Sequence, residues 1–137
     1  MKVGDTFSKQ VHFDAAGISA FARSTGDMNP LHHDPATAAK SRFGRIIASG
    51  SHVSALLLGM LAGWFADKDE NVGLDYSVRF RAPVRDGDMV ELRWRLTAIE
   101  PKASLKGDIV RAEGEVVRAD GTVAMSATAI AAIFRER

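Results

Sequence analysis

The chain has 137 residues, 46% hydrophobic and 26% charged, with 18 basic against 17 acidic side chains and a net charge of +1. That length is expected to form one domain over residues 1–137 with a real core, and the near-neutral balance offers no field for nucleic acid or an anionic membrane surface. There is no cysteine, which excludes disulfides, a thiolate nucleophile and a cysteine zinc site, and which fits a reducing cytoplasm.

The first ten residues, MKVGDTFSKQ, lack the apolar core of a signal peptide. The most apolar run, residues 53–66, is shorter than the roughly 20 residues that span a bilayer. Residues 7–13 alternate weakly and predict a short edge strand. Asp14 reads as the N-cap of a helix that carries Ile18, Phe21 and Ala22 on one face. Asp34 followed by Pro35 opens a second, short helix over PATAAKSRF, because proline is welcome at the first helical position, and Gly44 stops it.

Residues 50–67 predict a longer helix. Its Val53, Leu56, Leu57, Leu58, Met60, Leu61, Trp64 and Phe65 go all round the circumference, so it is expected to be buried on nearly every side. Ser51, Ala55, Gly59 and Ala62 or Gly63 would let other backbones come close. After Asn71 the period changes to two. Leu74, Tyr76, Val78 and Phe80 face one way, and Asp75, Ser77, Arg79 and Arg81 the other. RDGD turns the chain, and Val90, Leu92, Trp94, Leu96 and Ala98 then alternate with Glu91, Arg93, Arg95 and Thr97. A third strand covers about residues 105–118, ADG at 119–121 signals a hairpin, and residues 122–134 predict a last strand, apolar on both faces and therefore central or at an interface.

One buried helix followed by long antiparallel strands has few packing solutions. The economical one is α+β, a hotdog: an antiparallel sheet wrapped around a long buried central helix. Four or five strands cannot cover that helix all round, so a homodimer, or a multiple of it, is expected.

The densest polar stretch is TGDMNPLHHDP at residues 25–35. Pro30 and Pro35 push Asn29 and Asp34 out of the helical region, and Gly26 permits a positive φ just before Asp27. Asp27 and His32 therefore stand between fixed points, and a carboxylate beside an imidazole on a rigid mount is suited to acid–base catalysis. The same composition also describes a capped, turn-rich connection. Metal binding is poorly supported because His32, His33 and Asp34 are consecutive. A Ser–His–Asp hydrolase is poorly supported without a G-x-S-x-G elbow, although Ser49 and His52 lie close in sequence.

STGDMNPLHHDPATAA, residues 24–39, resembles the hydratase-2 motif of the MaoC-like family, the (R)-specific enoyl-CoA hydratases. A looser resemblance extends over RIIASGSHVSALLLGML and YSVRFRAPVRDGD. It implies the hotdog fold and reversible addition of water to a 2-enoyl thioester of coenzyme A or an acyl carrier protein, with no cofactor and no metal. By position, Asp27 and His32 match the family's catalytic pair, Asn29 the asparagine that supports them, and Gly50 the glycine whose N–H binds the thioester carbonyl. The pattern is broken at Ser49, where many relatives carry histidine, which leaves Ser49 a supporting role and His52 the place of a core histidine. His33 is expected to face away from its neighbour and His12 to be a surface residue at a strand end. Arg79 and Arg81 are candidates for the phosphates of coenzyme A, or else part of a solvated strand face. The other readings of the same chain are a hotdog thioesterase, which would release thiol, and a non-catalytic acyl-thioester-binding subunit.

Overall fold

The computed structural model describes residues 1–135. In chain order it contains β1 (Thr6–His12), α1 (Ala15–Ser24), a 3-10 turn (Pro30–His32), α2 (Pro35–Lys40), α3 (Gly50–Ala66), β2 (Glu70–Phe80), β3 (Met89–Lys102), β4 (Gly107–Arg118) and β5 (Val123–Phe134). The strands form one antiparallel sheet in the order β1-β3-β4-β5-β2. This is the hotdog arrangement, with β5 an interior strand between β4 and β2, which suits its two apolar faces.

Side-chain period decides which residues meet. Val90, Leu92, Trp94 and Leu96 of β3, Val110, Ala112 and Val116 of β4 and Met125, Ala127, Ala129, Ala131 and Ile133 of β5 are all buried. Against them α3 buries Val53, Leu57, Leu61 and Phe65, one residue per turn. Leu56, Met60 and Trp64 flank that stripe half-buried, and the Trp64 ring is stacked on Phe7 of β1 with centroids 4.4 Å apart. The helix is not buried on every side. Ala55, Gly59, Ala62 and Gly63 remain exposed, so five strands cover only part of its circumference.

Element ends depart from the sequence expectations where local bonds override pattern. The second helix ends at Lys40 rather than running on to Gly44. Ser41 turns to extended backbone (φ −79°, ψ 168°) and its hydroxyl donates to the Ala38 carbonyl at 2.6 Å. β2 begins at Glu70, before any alternation is visible, and a register shift between Gly73 and Asp75 leaves Leu74 in the irregularity, exposed. A second shift lies between Leu96 and Ala98. β4 starts at Gly107 because residues 103–105 form a 3-10 turn closed by Lys106 at φ +54°. Among the described residues no helix is long and apolar enough to cross a membrane.

Gly114 lies tightly beneath the core ring of Trp94. A Cβ at Gly114 would lie 2.7 Å from Trp94 Cε3, and the ring cannot retreat, because it is buried and its Nε1–H donates to the Leu57 carbonyl at 2.8 Å. Gly114→Ala is therefore expected to cost about 1–3 kcal/mol through overpacking. Urea unfolding should show a lower midpoint at unchanged slope, and a wild-type midpoint would mean that the ring does not lie there.

Candidate active site

The loop between α1 and α2 is built by its own polar residues. α1 is started by Asp14, whose carboxylate accepts from Gly17 N–H at 2.7 Å, and it ends at Thr25. Gly26, at φ +79°, then reverses the chain so that Asp27 N–H donates back to the Ala22 carbonyl at 2.9 Å. Asp27 Oδ1 accepts from Asn29 N–H at 3.1 Å, and Asn29 Oδ1 accepts from Leu31 N–H at 3.1 Å, capping the 3-10 turn that carries His32. Asp34 caps α2. Its carboxylate takes the Thr37 hydroxyl and the N–H groups of Thr37 and Ala36, and these bonds hold its pKa below the ordinary value.

His32 is buried and its two ring nitrogens are used differently. Nδ1 lies 2.7 Å from the Ile47 carbonyl oxygen, which can only accept, so Nδ1 carries the proton. Nε2 lies 3.2 Å from Asp27 Oδ2. The His32 side chain is 8% exposed and that of Asp27 36%, so the pair meets solvent mainly through its carboxylate.

Asp27 opens into a cleft of about 750 Å³ whose wall includes Phe43, Ser49, Gly50, Phe80 and Arg81. Gly50 is the first residue of α3, and its N–H has no carbonyl one turn back to which it could donate. Ser49 sits at the N-cap, buried, without a capping bond to the helix; Ser51 Oγ donates to its hydroxyl at 3.3 Å. One cleft thus brings together Asp27, Ser49 and Gly50, with His32 behind Asp27 and Asn29 one step back, holding the loop. A proton-accepting pair and an unsatisfied helix N-terminus facing one cavity can move protons and stabilise a developing oxyanion.

Two contacts escaped the sequence reading. The Phe80 ring lies over Gly50, where a Cβ would come within 2.8 Å of Cε1. No local pattern announces a contact thirty positions apart. His33 is the second. Its ring is set nearly perpendicular to that of His32 (80°, centroids 6.3 Å apart), but Nε2 turns back to the Asp27 carbonyl at 2.8 Å and Nδ1 meets Ser19 Oγ at 2.6 Å.

His52 is a core histidine, stacked on Phe21 (4.4 Å, 6°) and edge-on to Phe13. Its polar capacity is not met, since Nδ1 is buried without a partner, and burial lowers its pKa. His12 is exposed at the end of β1. Arg79 and Arg81 are separated: Arg81 borders the cleft, its Nε donating to Ser126 Oγ at 3.1 Å, whereas Arg79 borders a groove with Arg93 and Arg95. Among the described residues no group of three or more His, Asp or Glu side chains is gathered to hold a metal ion.

The chain is 36% identical over 99 residues to an (R)-specific enoyl-CoA hydratase of Aeromonas caviae, covering 72% of this chain and 73% of that protein. It is 32% identical over 102 residues to a 3-hydroxybutyryl-CoA dehydratase of Methylorubrum extorquens, covering 74% of this chain and 64% of the relative. The solved structure of an (R)-hydratase from A. caviae involved in PHA biosynthesis superposes with a TM-score of 0.85 at 30% identity, covering 97% of each chain. A family profile described as a MaoC like domain matches residues 3–119, and with that match over most of its length the chain belongs to the MaoC-like family.

Proposed function

We propose that the protein is a hydro-lyase that adds one water reversibly across the double bond of a 2-enoyl thioester, giving the (R)-3-hydroxyacyl thioester, with Asp27 and His32 as its acid–base pair. The observation that carries this reading is the 3.2 Å contact of His32 Nε2 with Asp27 Oδ2 on the cleft that also holds the first turn of α3. The names of the relatives support it, being those of an (R)-specific enoyl-CoA hydratase and a 3-hydroxybutyryl-CoA dehydratase. The acyl group is carried on coenzyme A, or on an acyl carrier protein that presents the same thioester.

In the forward direction, water is held between the Asp27 carboxylate and His32 Nε2. The thioester carbonyl accepts from Gly50 N–H at the positive end of α3. The water oxygen bonds to C3 while its proton passes to the pair, and the π electrons move onto the thioester oxygen as an enolate. The pair then returns the proton to C2, so one water is added and nothing is left over. The fixed tautomer of His32 suits this, because Nδ1 is occupied by Ile47 and Nε2 alone is free to accept. Because water and proton come from the same pair, both add to one face of the enoyl group, and a single enantiomer results.

The test is a panel of 2-enoyl-CoA thioesters, followed in parallel for loss of the conjugated double bond, for thiol release, and for product handedness by dehydrogenases of opposite preference. Asp27→Asn and His32→Gln are each expected to lose about 10²–10⁴-fold in hydration with the fold intact by circular dichroism. Thiol release in place of hydration would give the reaction to a thioesterase, and an (S) product would contradict the stereochemical assignment. Activity within a few-fold of wild type in either variant would remove that residue from the mechanism.

The oxyanion role of Gly50 can be separated from its lack of a side chain. Proline at 50 deletes the N–H at a position helices tolerate. Alanine keeps the N–H but crowds Phe80, which is 60% exposed and free to swing aside. In a Phe80→Ala background, where the crowding is gone, Gly50→Pro is expected to lose on the order of 10²–10³ in turnover and Gly50→Ala little. Equal losses in that background would place the thioester carbonyl elsewhere.

The functional unit is a homodimer. β2 is an edge of the sheet, eleven residues long, and exposes Val72 (48%) and Leu74 (53%), next to the bare Ala55, Gly59 and Ala62 face of α3. Unprotected edges of that length pair with another strand, and a two-fold axis makes the patch its own complement. Light scattering at micromolar concentration should give at least twice the mass of the chain; a stable monomer would contradict this assembly.

A further inference from the structure

We infer that His33, which the mechanism above does not use, is a positioning residue that holds the backbone of Asp27 in register for the reaction. The inference rests on the proposed hydratase activity, but its geometric basis is independent of it. A carbonyl oxygen only accepts, so the 2.8 Å contact of His33 Nε2 with the Asp27 carbonyl places a proton on Nε2. In the neutral ring Nδ1 is then the acceptor, and it takes the Ser19 hydroxyl at 2.6 Å. Two consecutive histidines are therefore held in opposite tautomers and reach one aspartate from two sides, His32 at the carboxylate and His33 at the carbonyl.

The brace holds the one backbone group of Asp27, its carbonyl, that the loop's other bonds do not engage. Gly26 precedes Asp27 at φ +79°, a residue of great backbone freedom, and Met28 after it is 57% exposed and packs into no core. The Asp27–Met28 peptide plane is set by its carbonyl, and His33 connects that carbonyl through Ser19 to α1, whose last turn also receives Asp27 N–H at Ala22. Without the bond, the peptide can rotate and carry the Asp27 side chain with it. A misplacement of about 1 Å in a catalytic group is enough to lose on the order of 10²-fold in rate.

Side-chain length separates positioning from bulk stability. A glutamine amide reaches about where histidine Nε2 lies and can still donate to Asp27; an asparagine amide reaches about where Nδ1 lies and can bond only to Ser19. His33→Leu is expected to lower kcat by about 10- to 100-fold with KM within about three-fold of wild type. His33→Gln should recover to within about five-fold of wild type, while His33→Asn should behave like the leucine variant. In the intact wild-type protein, 15N spectroscopy of the imidazoles should show His33 as the Nε2–H tautomer and His32 as the Nδ1–H tautomer, with no substrate present. If wild type hydrates no 2-enoyl thioester, the proposed activity falls and the two tautomers decide whether the brace stands. If wild type is active and His33→Leu stays within two-fold of it, or glutamine and asparagine behave alike, the positioning role is overturned. A His33 found as the Nδ1–H tautomer overturns it in either case. Should the leucine variant fail to fold by circular dichroism, the glutamine and asparagine comparison alone decides.

Discussion

His32 donates from Nδ1 to the carbonyl of Ile47, and two separate features of the site follow from that bond. It fixes the tautomer, leaving Nε2 as the nitrogen that faces Asp27. It also ties the polar loop to the segment that leads into α3. The tie is doubled by Ile47 N–H donating to the Leu31 carbonyl at 3.2 Å, and the segment is anchored in turn by Ala48 N–H on Val84 at 2.8 Å. His32, with Asp27 beside it, and the helix N-terminus are thus set relative to each other by backbone bonds across a short stretch of chain, with little left to side-chain rotation.

The position of that helix is determined by the sheet. The buried stripe of Val53, Leu57, Leu61 and Phe65 sets its rotation, and two polar bonds oppose sliding: Trp94 Nε1–H to the Leu57 carbonyl at 2.8 Å and Tyr76 O–H to the Ser54 carbonyl at 2.9 Å. Each is worth only about 1 kcal/mol net, but a buried indole N–H left without its acceptor would cost more than that. The two bonds come from different strands, β3 and β2, so a shift that satisfied one would break the other. Gly50 inherits this rigidity, and the Phe80 ring lies over the first turn of α3.

What could be read from the sequence was what short-range physics decides. Asp14 and Asp34 announce helix starts because a cap is a contact within three residues. The alternation of β3 names its buried face because strand geometry enforces a period of two, and an apolar run such as 122–134 belongs inside the sheet or at an interface. The family motif brought Asp27 and His32 into view together, and the loop does place them in contact. Contacts between distant positions were not legible. Phe80 over Gly50, Trp94 over Gly114 and His33 on Ser19 depend on how elements dock. The register shifts were hidden for another reason: a bulge changes phase without changing composition. The burial of α3 was overestimated because a helix apolar all round reports every surface it will ever cover, whereas the sheet of one chain supplies only one of them.

The loop holds two aspartates and two histidines, and their bonding partners divide the labour. Asp34 is turned to capping α2, accepting from the N–H groups of Ala36 and Thr37 and from the Thr37 hydroxyl, bonds that lower its pKa. Asp27 spends one oxygen on Asn29 N–H and presents the other to His32 at the edge of a cleft, so lone pairs remain for a ligand. The histidines sort in the same way. His33 has both nitrogens committed to Ser19 and Asp27, while His32 has one committed and one aimed at a carboxylate. His52 lies among aromatic rings with no polar partner at Nδ1, and His12 lies at the surface. Reactivity in such a loop resides in the groups whose hydrogen-bonding capacity is left partly unspent, and stiffness comes from the groups whose capacity is used up. The same two residue types can therefore be scaffold or chemistry, and only the inventory of their partners tells which.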